Sequence, residues 1–161
     1  MTAKQYNICV KNFSDNLYRF ILKNIKRSDT AEDIVQDSFE KMWINRSSIN
    51  FEKSKSYLFS TAYHTMIDII RREKRMVSSD ENSYAEPSHS TQFSDINEIL
   101  RNAVERLPED QRSVVILRDY EGYSYKEIAK ITKLTEQQVK VYIYRARVFL
   151  KSYIGQPENV I

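Results

Sequence analysis

The stretch Gly122-Tyr123-Ser124-Tyr125-Lys126-Glu127-Ile128-Ala129-Lys130-Ile131-Thr132-Lys133-Leu134-Thr135-Glu136-Gln137-Gln138-Val139 decides how this chain is read. Gly122 follows a helical pattern in a chain with only two glycines. It reads as a left-handed C-terminal cap, a conformation that glycine adopts without a Cβ penalty. Ser124 and Glu127 have the spacing of a capping box, in which each side chain satisfies the other residue's backbone amide. Ile128, Ala129 and Ile131 then form the inner face of a short helix. Thr135 and Gln138 repeat the capping box and open a longer one. Short helix, tight turn and capped longer helix make the layout of a helix-turn-helix.

Along the longer helix, Val139, Ile143, Ala146 and Leu150 recur at steps of four, three and four, a narrow stripe suited to packing on the preceding helices. The other face carries Gln137, Lys140, Val141, Tyr144, Arg147 and Lys151, with Arg145 on its flank. Glutamine and lysine near a helix N-terminus match the donors and acceptors of base edges. Valine suits a thymine methyl, and the later cations suit phosphates. Gln137, Gln138, Lys140, Val141, Tyr144, Arg145, Arg147 and Lys151 are therefore the candidate duplex-DNA residues. Four cations on phosphates would give a log-log salt slope of roughly −3.6, losing about a hundredfold in affinity between about 50 and 200 mM salt. Such a module needs a second contact or a tether to hold DNA at cellular salt.

Outward from this motif, two glycines and three prolines in 161 residues are too few for a fold rich in sharp turns, so the fold class is all-α. The segment Ser78 to Ser94, SSDENSYAEPSHSTQFS, replaces periodic apolar residues with polar and turn-forming ones and contains Pro87. It reads as a flexible acidic linker. It separates two small helical domains, residues 1–77 and 95–155, each long enough for a bundle with its own core, and leaves a tail at 156–161. With 29% charged and 41% hydrophobic residues the composition is that of a soluble globular chain. No apolar run approaches the roughly 20 residues of a membrane span, and Met1 to Val10 lacks signal-peptide features. The expectation is a cytoplasmic protein without membrane insertion. Cys9 alone forms no internal disulfide, and His64 and His89 stand too far apart for metal-ligand spacing. No metal and no cofactor are expected.

In the first half, Val10, Phe13, Leu17, Phe20, Ile21 and Ile25 are spaced for one helix, followed by a polar break from Lys26 to Thr30. Asp29 with Glu32, or Thr30 with Asp33, has the capping arrangement to open a second. Its inner stripe is Ala31, Ile34, Val35, Ser38, Phe39, Met42 and Trp43, and its opposite face is acidic. A third helix runs from about Ser54 to Arg75. Leu58, Phe59, Ala62, Tyr63, Met66, Ile67 and Ile70 lie on one side, and a basic cluster sits at its C-terminal end, where it complements the helix dipole. Aromatic rings beside cations can hold unstacked bases, which makes Tyr57, Tyr63, Arg71, Arg72, Lys74 and Arg75 candidate single-strand residues. Phe59 and Tyr63 also fall on the apolar stripe and read first as core. Charge is segregated: five acids and no base lie between Asp29 and Glu40, and again between Val77 and Leu100. Separate surfaces for separate partners follow.

These residues carry a family resemblance. Ala31-Glu32-Asp33-Ile34-Val35-Gln36-Asp37-Ser38-Phe39 ending at Trp43 resembles the polymerase-binding helix of extracytoplasmic-function (ECF) sigma factors. Ser56-Tyr57-Leu58 through Ile67-Asp68-Ile69-Ile70-Arg71-Arg72 resembles their minus-ten helix. Leu107-Pro108-Glu109-Asp110-Gln111-Arg112, the segment Glu121 to Ala129, Val139-Lys140 and Tyr144-Arg145-Ala146-Arg147 are similar to their minus-thirty-five domain. The likeness covers about Leu17 to Tyr153, and the Ser-Tyr-Leu-Phe segment is similar to forms from the Bacteroidetes. It implies a non-enzymatic initiation factor with no catalytic residues, whose domain 1–77 is sigma region 2 and whose domain 95–155 is region 4. Asp33, Gln36, Asp37 and Glu40 would dock on bacterial core RNA polymerase. Tyr57, Tyr63, His64, Arg71, Arg72, Lys74 and Arg75 would meet the melted minus-ten strand, and the candidate duplex residues the minus-thirty-five element of promoter DNA. An anti-sigma factor is the implied regulatory partner. The family usually has asparagine at His64, glycine at Lys133 and Gly-Thr at Gln137-Gln138.

Two rival readings are weaker. A stand-alone helix-turn-helix regulator would bind duplex DNA without polymerase, but no ligand-pocket signature accompanies the motif. An enzyme would rest on His64 and Asp68 one helical turn apart, a pair far more often structural than catalytic.

Overall fold

The computed structural model describes residues 1–77 and 96–155. The linker expected at 78–94 and the tail at 156–161 lie outside the described residues. Seven α-helices account for most of the rest: α1 (Ala3–Ile25), α2 (Ser28–Ile44), α3 (Ser54–Val77), α4 (Ile96–Glu105), α5 (Glu109–Val115), α6 (Tyr125–Thr132) and α7 (Glu136–Ile154). Two 3₁₀ turns, Arg46–Ser48 and Phe51–Lys53, join α2 to α3, and α5 continues into a π turn over Ile116–Tyr120. The described residues contain no strand, in agreement with the all-α expectation.

Helices α1, α2 and α3 pack on one another through the stripes the spacing identifies. Leu17, Phe20, Ile21, Ala31, Ile34, Met42, Leu58, Phe59, Ala62 and Met66 are buried. Three expectations are corrected here. The break after α1 spans only Lys26 and Arg27, because Lys26 takes a left-handed conformation (φ 62°, ψ 17°) and its N–H donates to the Leu22 carbonyl. The reversal is complete in two residues, so Asp29 and Thr30 already lie inside α2. Neither expected capping box forms: the N-cap is Arg27, without a side-chain cap, and the Asp29 carboxylate accepts from the Thr30 N–H at 2.8 Å. Trp43, placed on the inner stripe by its spacing, is 39% exposed and packs instead on the Tyr6 ring (4.9 Å) and the Arg46 guanidinium (3.9 Å).

In the second half, Pro108 stands at the N-cap of α5. Gly122 has φ 76°, as expected of the cap before the helix-turn-helix. Both capping boxes of the motif are formed, Ser124 with Glu127 and Thr135 with Gln138. Lys133, where the family resemblance expects glycine, adopts the left-handed turn nonetheless (φ 63°, ψ 17°). The turn therefore keeps its shape and bears a side chain in a conformation that glycine favours.

The two halves are packed together. Helix α6 lies on α3, and α1 touches α5 and the π turn. Phe59 sits 5.7 Å from Phe20 in its own half and 5.4 Å from Tyr123 in the other. The buried Asn24 amide donates to the Phe20 carbonyl (2.8 Å), while its oxygen accepts from Arg112 Nε (3.2 Å) and Ser113 Oγ (3.1 Å). Ion pairs Arg19–Glu121 (3.3 Å) and Lys26–Glu105 (2.7 Å) border this contact. Burial pushes the Arg112 guanidinium below its usual pKa, against the carboxylates of Glu109 and Glu105, which act the other way.

Candidate nucleic-acid interface

The Thr135 capping box fixes the start of α7. Thr135 Oγ1 accepts from the Gln138 N–H (3.1 Å), and Gln138 Oε1 accepts from the Thr135 N–H (2.9 Å). Val139, Ile143, Ala146 and Leu150 then turn inward, each buried. That leaves Gln137, Lys140, Val141, Tyr144, Arg145, Arg147 and Lys151 exposed, as the periodicity requires. Tyr144 is 69% exposed, far more than a core tyrosine tolerates. Two residues of the set have other engagements. Gln138 spends its carbonyl oxygen on the cap, leaving its NH₂ for a ligand. Arg147 pairs with Asp119, Nη2 to Oδ1 at 2.7 Å and Nε to Oδ2 at 3.4 Å, and this hydrogen-bonded carboxylate holds its pKa above the usual value. Gln137, Val141 and Arg145 border a shallow depression of about 310 Å³ beside the capped end.

A larger cleft of about 660 Å³ opens along α3. Lys41, Asn50 and Lys53 from around the α2–α3 connection, Tyr57 and His64 on α3, and Lys130 and Lys133 from the helix-turn-helix line it. Hydroxyls of Ser56, Ser60, Thr61 and Thr65 add donors between the aromatic and cationic groups. Tyr57 Oη accepts from Asn45 Nδ2 at 3.3 Å. His64 Nδ1 lies 2.7 Å from the Ser60 carbonyl, so this nitrogen carries the proton and donates, and Nε2 remains an acceptor. Tyr63 does not belong with them. It is 4% exposed, and burial pushes its hydroxyl up to about 12, so this arrangement keeps it in the core. Arg71, Arg72, Lys74 and Arg75 are exposed at the end of α3, but Lys74 hydrogen-bonds Glu109, and Arg71 stands 4.0 Å from both Glu109 and Asp110. The α2–α3 connection escapes a sequence reading because it has no period. The serine and threonine row is visible beside the apolar stripe, at successive steps of four, one and four residues from Ser56 to Thr65. Nothing local announces Lys130 and Lys133.

The acidic face of α2 is the third surface. Asp33, Gln36 and Glu40 are exposed, and Asp37 pairs with Lys41 at 3.0 Å, one turn on. Exposed Trp43 and Ile44 (67%) extend this face with apolar surface. Among the described residues no helix is long and apolar enough to cross a membrane.

A helix-turn-helix with an exposed polar and cationic face is joined to a three-helix unit with an aromatic and cationic cleft. Residues 9–76 match Sigma-70 region 2, and residues 97–150 match Sigma-70, region 4. The chain is 30% identical over 155 residues to the ECF RNA polymerase sigma factor SigM of Bacillus subtilis, covering 91% of this chain and 93% of that one. It is 30% identical over 141 residues to the RNA polymerase sigma factor SigV of the same organism, covering 86% and 84%. Its fold matches the sigma factor RpoE from Bartonella quintana, solved in complex with the anti-sigma factor NepR, with a TM-score of 0.79 at 24% identity over 96% of this chain and 99% of that one. The chain belongs to the ECF family of RNA polymerase sigma factors.

Proposed function

We propose that the chain binds bacterial core RNA polymerase and directs it to promoter DNA, with region 2 in residues 1–77 and region 4 in 95–155. The observation that carries this reading is the pairing of two unlike nucleic-acid surfaces in one small chain. The α7 face offers Gln137, Lys140, Val141, Tyr144 and Arg145 to a major groove, on a start fixed by the Thr135–Gln138 capping box. The α3 surface suits unstacked bases, with Tyr57 as stacking surface, His64 Nε2 as acceptor, and Lys41, Lys53 and the α3 hydroxyls of the same half for backbone phosphates. Asp33, Gln36, Asp37 and Glu40 present carboxylates and an amide to a basic surface of the polymerase, and Trp43 with Ile44 supplies the apolar anchor that such a contact needs. The polymerase is then the tether that a weak duplex module requires.

With Arg147 paired internally, three cations of α7 remain for phosphates, and the salt slope of the duplex contact falls to roughly −2.7. The chain acts by binding and not by catalysis, in the cytoplasm, and an anti-sigma factor restrains it. Purified chain added to bacterial core polymerase is expected to give discrete transcripts from promoters selected by the same mixture. Equal transcripts without the chain would overturn the reading. Lys140→Ala is expected to weaken duplex binding and to reduce the salt slope by roughly one, measured by fluorescence anisotropy across a salt series.

A further inference from the structure

The packing of the two halves sets acids against cations that the α3 surface would use on DNA. Glu109 and Asp110 open α5, where the helix dipole favours negative charge. Across the contact, the Lys74 ammonium hydrogen-bonds Glu109, and the Arg71 guanidinium stands 4.0 Å from each carboxylate. Two carboxylates facing two cations present the negative charge that phosphates would offer them. We propose that Glu109 and Asp110 occupy Arg71 and Lys74 as phosphate mimics, so that the closed arrangement of the two halves and single-stranded DNA compete for the same cations. This rests on the reading of α3 as the single-strand surface.

A second observation marks the contact as one built to open. Tyr123, at the entrance to the helix-turn-helix, is 4% exposed and inserted against Phe59, with Lys55 Nζ 4.6 Å from its ring. Its hydroxyl is buried and has no hydrogen-bond partner among the described residues. An orphaned buried hydroxyl is a standing cost that water relieves once the halves separate. The Asn24–Arg112–Ser113 cluster, by contrast, is hydrogen-bonded within itself. Its groups satisfy one another in the closed form, and each is polar enough to be hydrated in an open one. By linkage, whatever binds Arg71 and Lys74 in the open form must favour opening to the same degree.

The test uses full-length chains and a fluorescein-labelled single-stranded oligodeoxynucleotide. Replacing both acids (E109Q/D110N) removes the competitor and is expected to tighten binding roughly two- to tenfold, the range that a few partly exposed ion pairs supply. Y123F keeps the ring contacts, removes the orphaned hydroxyl and is expected to weaken binding by roughly threefold or more. A charge-matched D15N/E52Q chain, altered at exposed acids away from the contact, separates competition from general repulsion and is expected to change less. Equal tightening by the two double variants, or parent affinity in both E109Q/D110N and Y123F, overturns the proposal. Small-angle scattering gives an independent readout: E109Q/D110N is expected to have a larger radius of gyration than the parent without DNA, and an unchanged radius overturns the latch. If the oligonucleotide binds none of these chains at low salt, it is the single-strand reading of α3 that fails, and scattering alone decides whether the acids hold the halves together.

Discussion

Lys133 shows how much one residue can carry in this fold. At φ 63° its Cβ sits where an L-residue pays for the left-handed conformation, and the turn between α6 and α7 is made all the same. Lys133→Gly is expected to stabilise the chain by up to about 1 kcal/mol, since the relief of strain exceeds the entropy that glycine adds to the unfolded chain. A urea melt compared with the parent checks it, and a lower midpoint would contradict it. Gly122 is the reverse case. Nothing lies within 4 Å of a Cβ built there, so only its φ of 76° demands glycine. His64 shows the limit of reading from residue type. Its one-turn spacing to Asp68 suggested a dyad, but its Nδ1 proton is spent on the Ser60 carbonyl in its own helix.

Among the elements, the helix-turn-helix was the most legible, because its signals are local. Two capping boxes, one glycine and a four-three-four stripe all lie within about 30 residues of one another; the boxes are hydrogen-bonded, Gly122 has φ 76° and the stripe is buried. Thr135→Ala is expected to cost about 1 kcal/mol and to fray the first turn of α7. Duplex affinity should drop with it while single-strand binding holds. Hydrogen exchange at Gln137, Gln138 and Val139 measures the fraying directly. The start of α2 was misread for an equally local reason: several acids and a threonine can all serve as caps on paper, but the reversal at Lys26, whose residue type gives no hint of a left-handed conformation, puts the N-cap at Arg27. Trp43 was misplaced because its spacing fits the inner stripe although the helix end at Ile44 leaves it at the margin, over Tyr6 and Arg46.

At the scale of the whole molecule, the contact between the halves was not legible, since its partners are 35 to 102 residues apart and follow no period. Its electrostatics give a signed prediction. Burial raises the pKa of Glu109, but the hydrogen bond and charge of Lys74 outweigh it and hold the carboxyl below its usual value of 4.5. A depressed carboxyl contributes stability that is fully present above the usual value and is lost as pH falls through the depressed one. The Glu109 contribution to closure is therefore constant from pH 8 to about 5 and fades only in stronger acid. Scattering along a pH series checks this, and an expansion already complete at about pH 6 would contradict it. The π turn at Ile116–Tyr120 bears on the same contact. Winding one residue wider than an α-helix changes the direction in which successive side chains leave the backbone. Asp119 within this turn and Glu121 at its C-cap reach opposite ways: Asp119 to Arg147 within its own half, Glu121 to Arg19 across the divide. A single irregular turn thus works as a junction, committing one carboxylate to the integrity of the reading head and its near neighbour to the choice between a folded-up and an extended molecule.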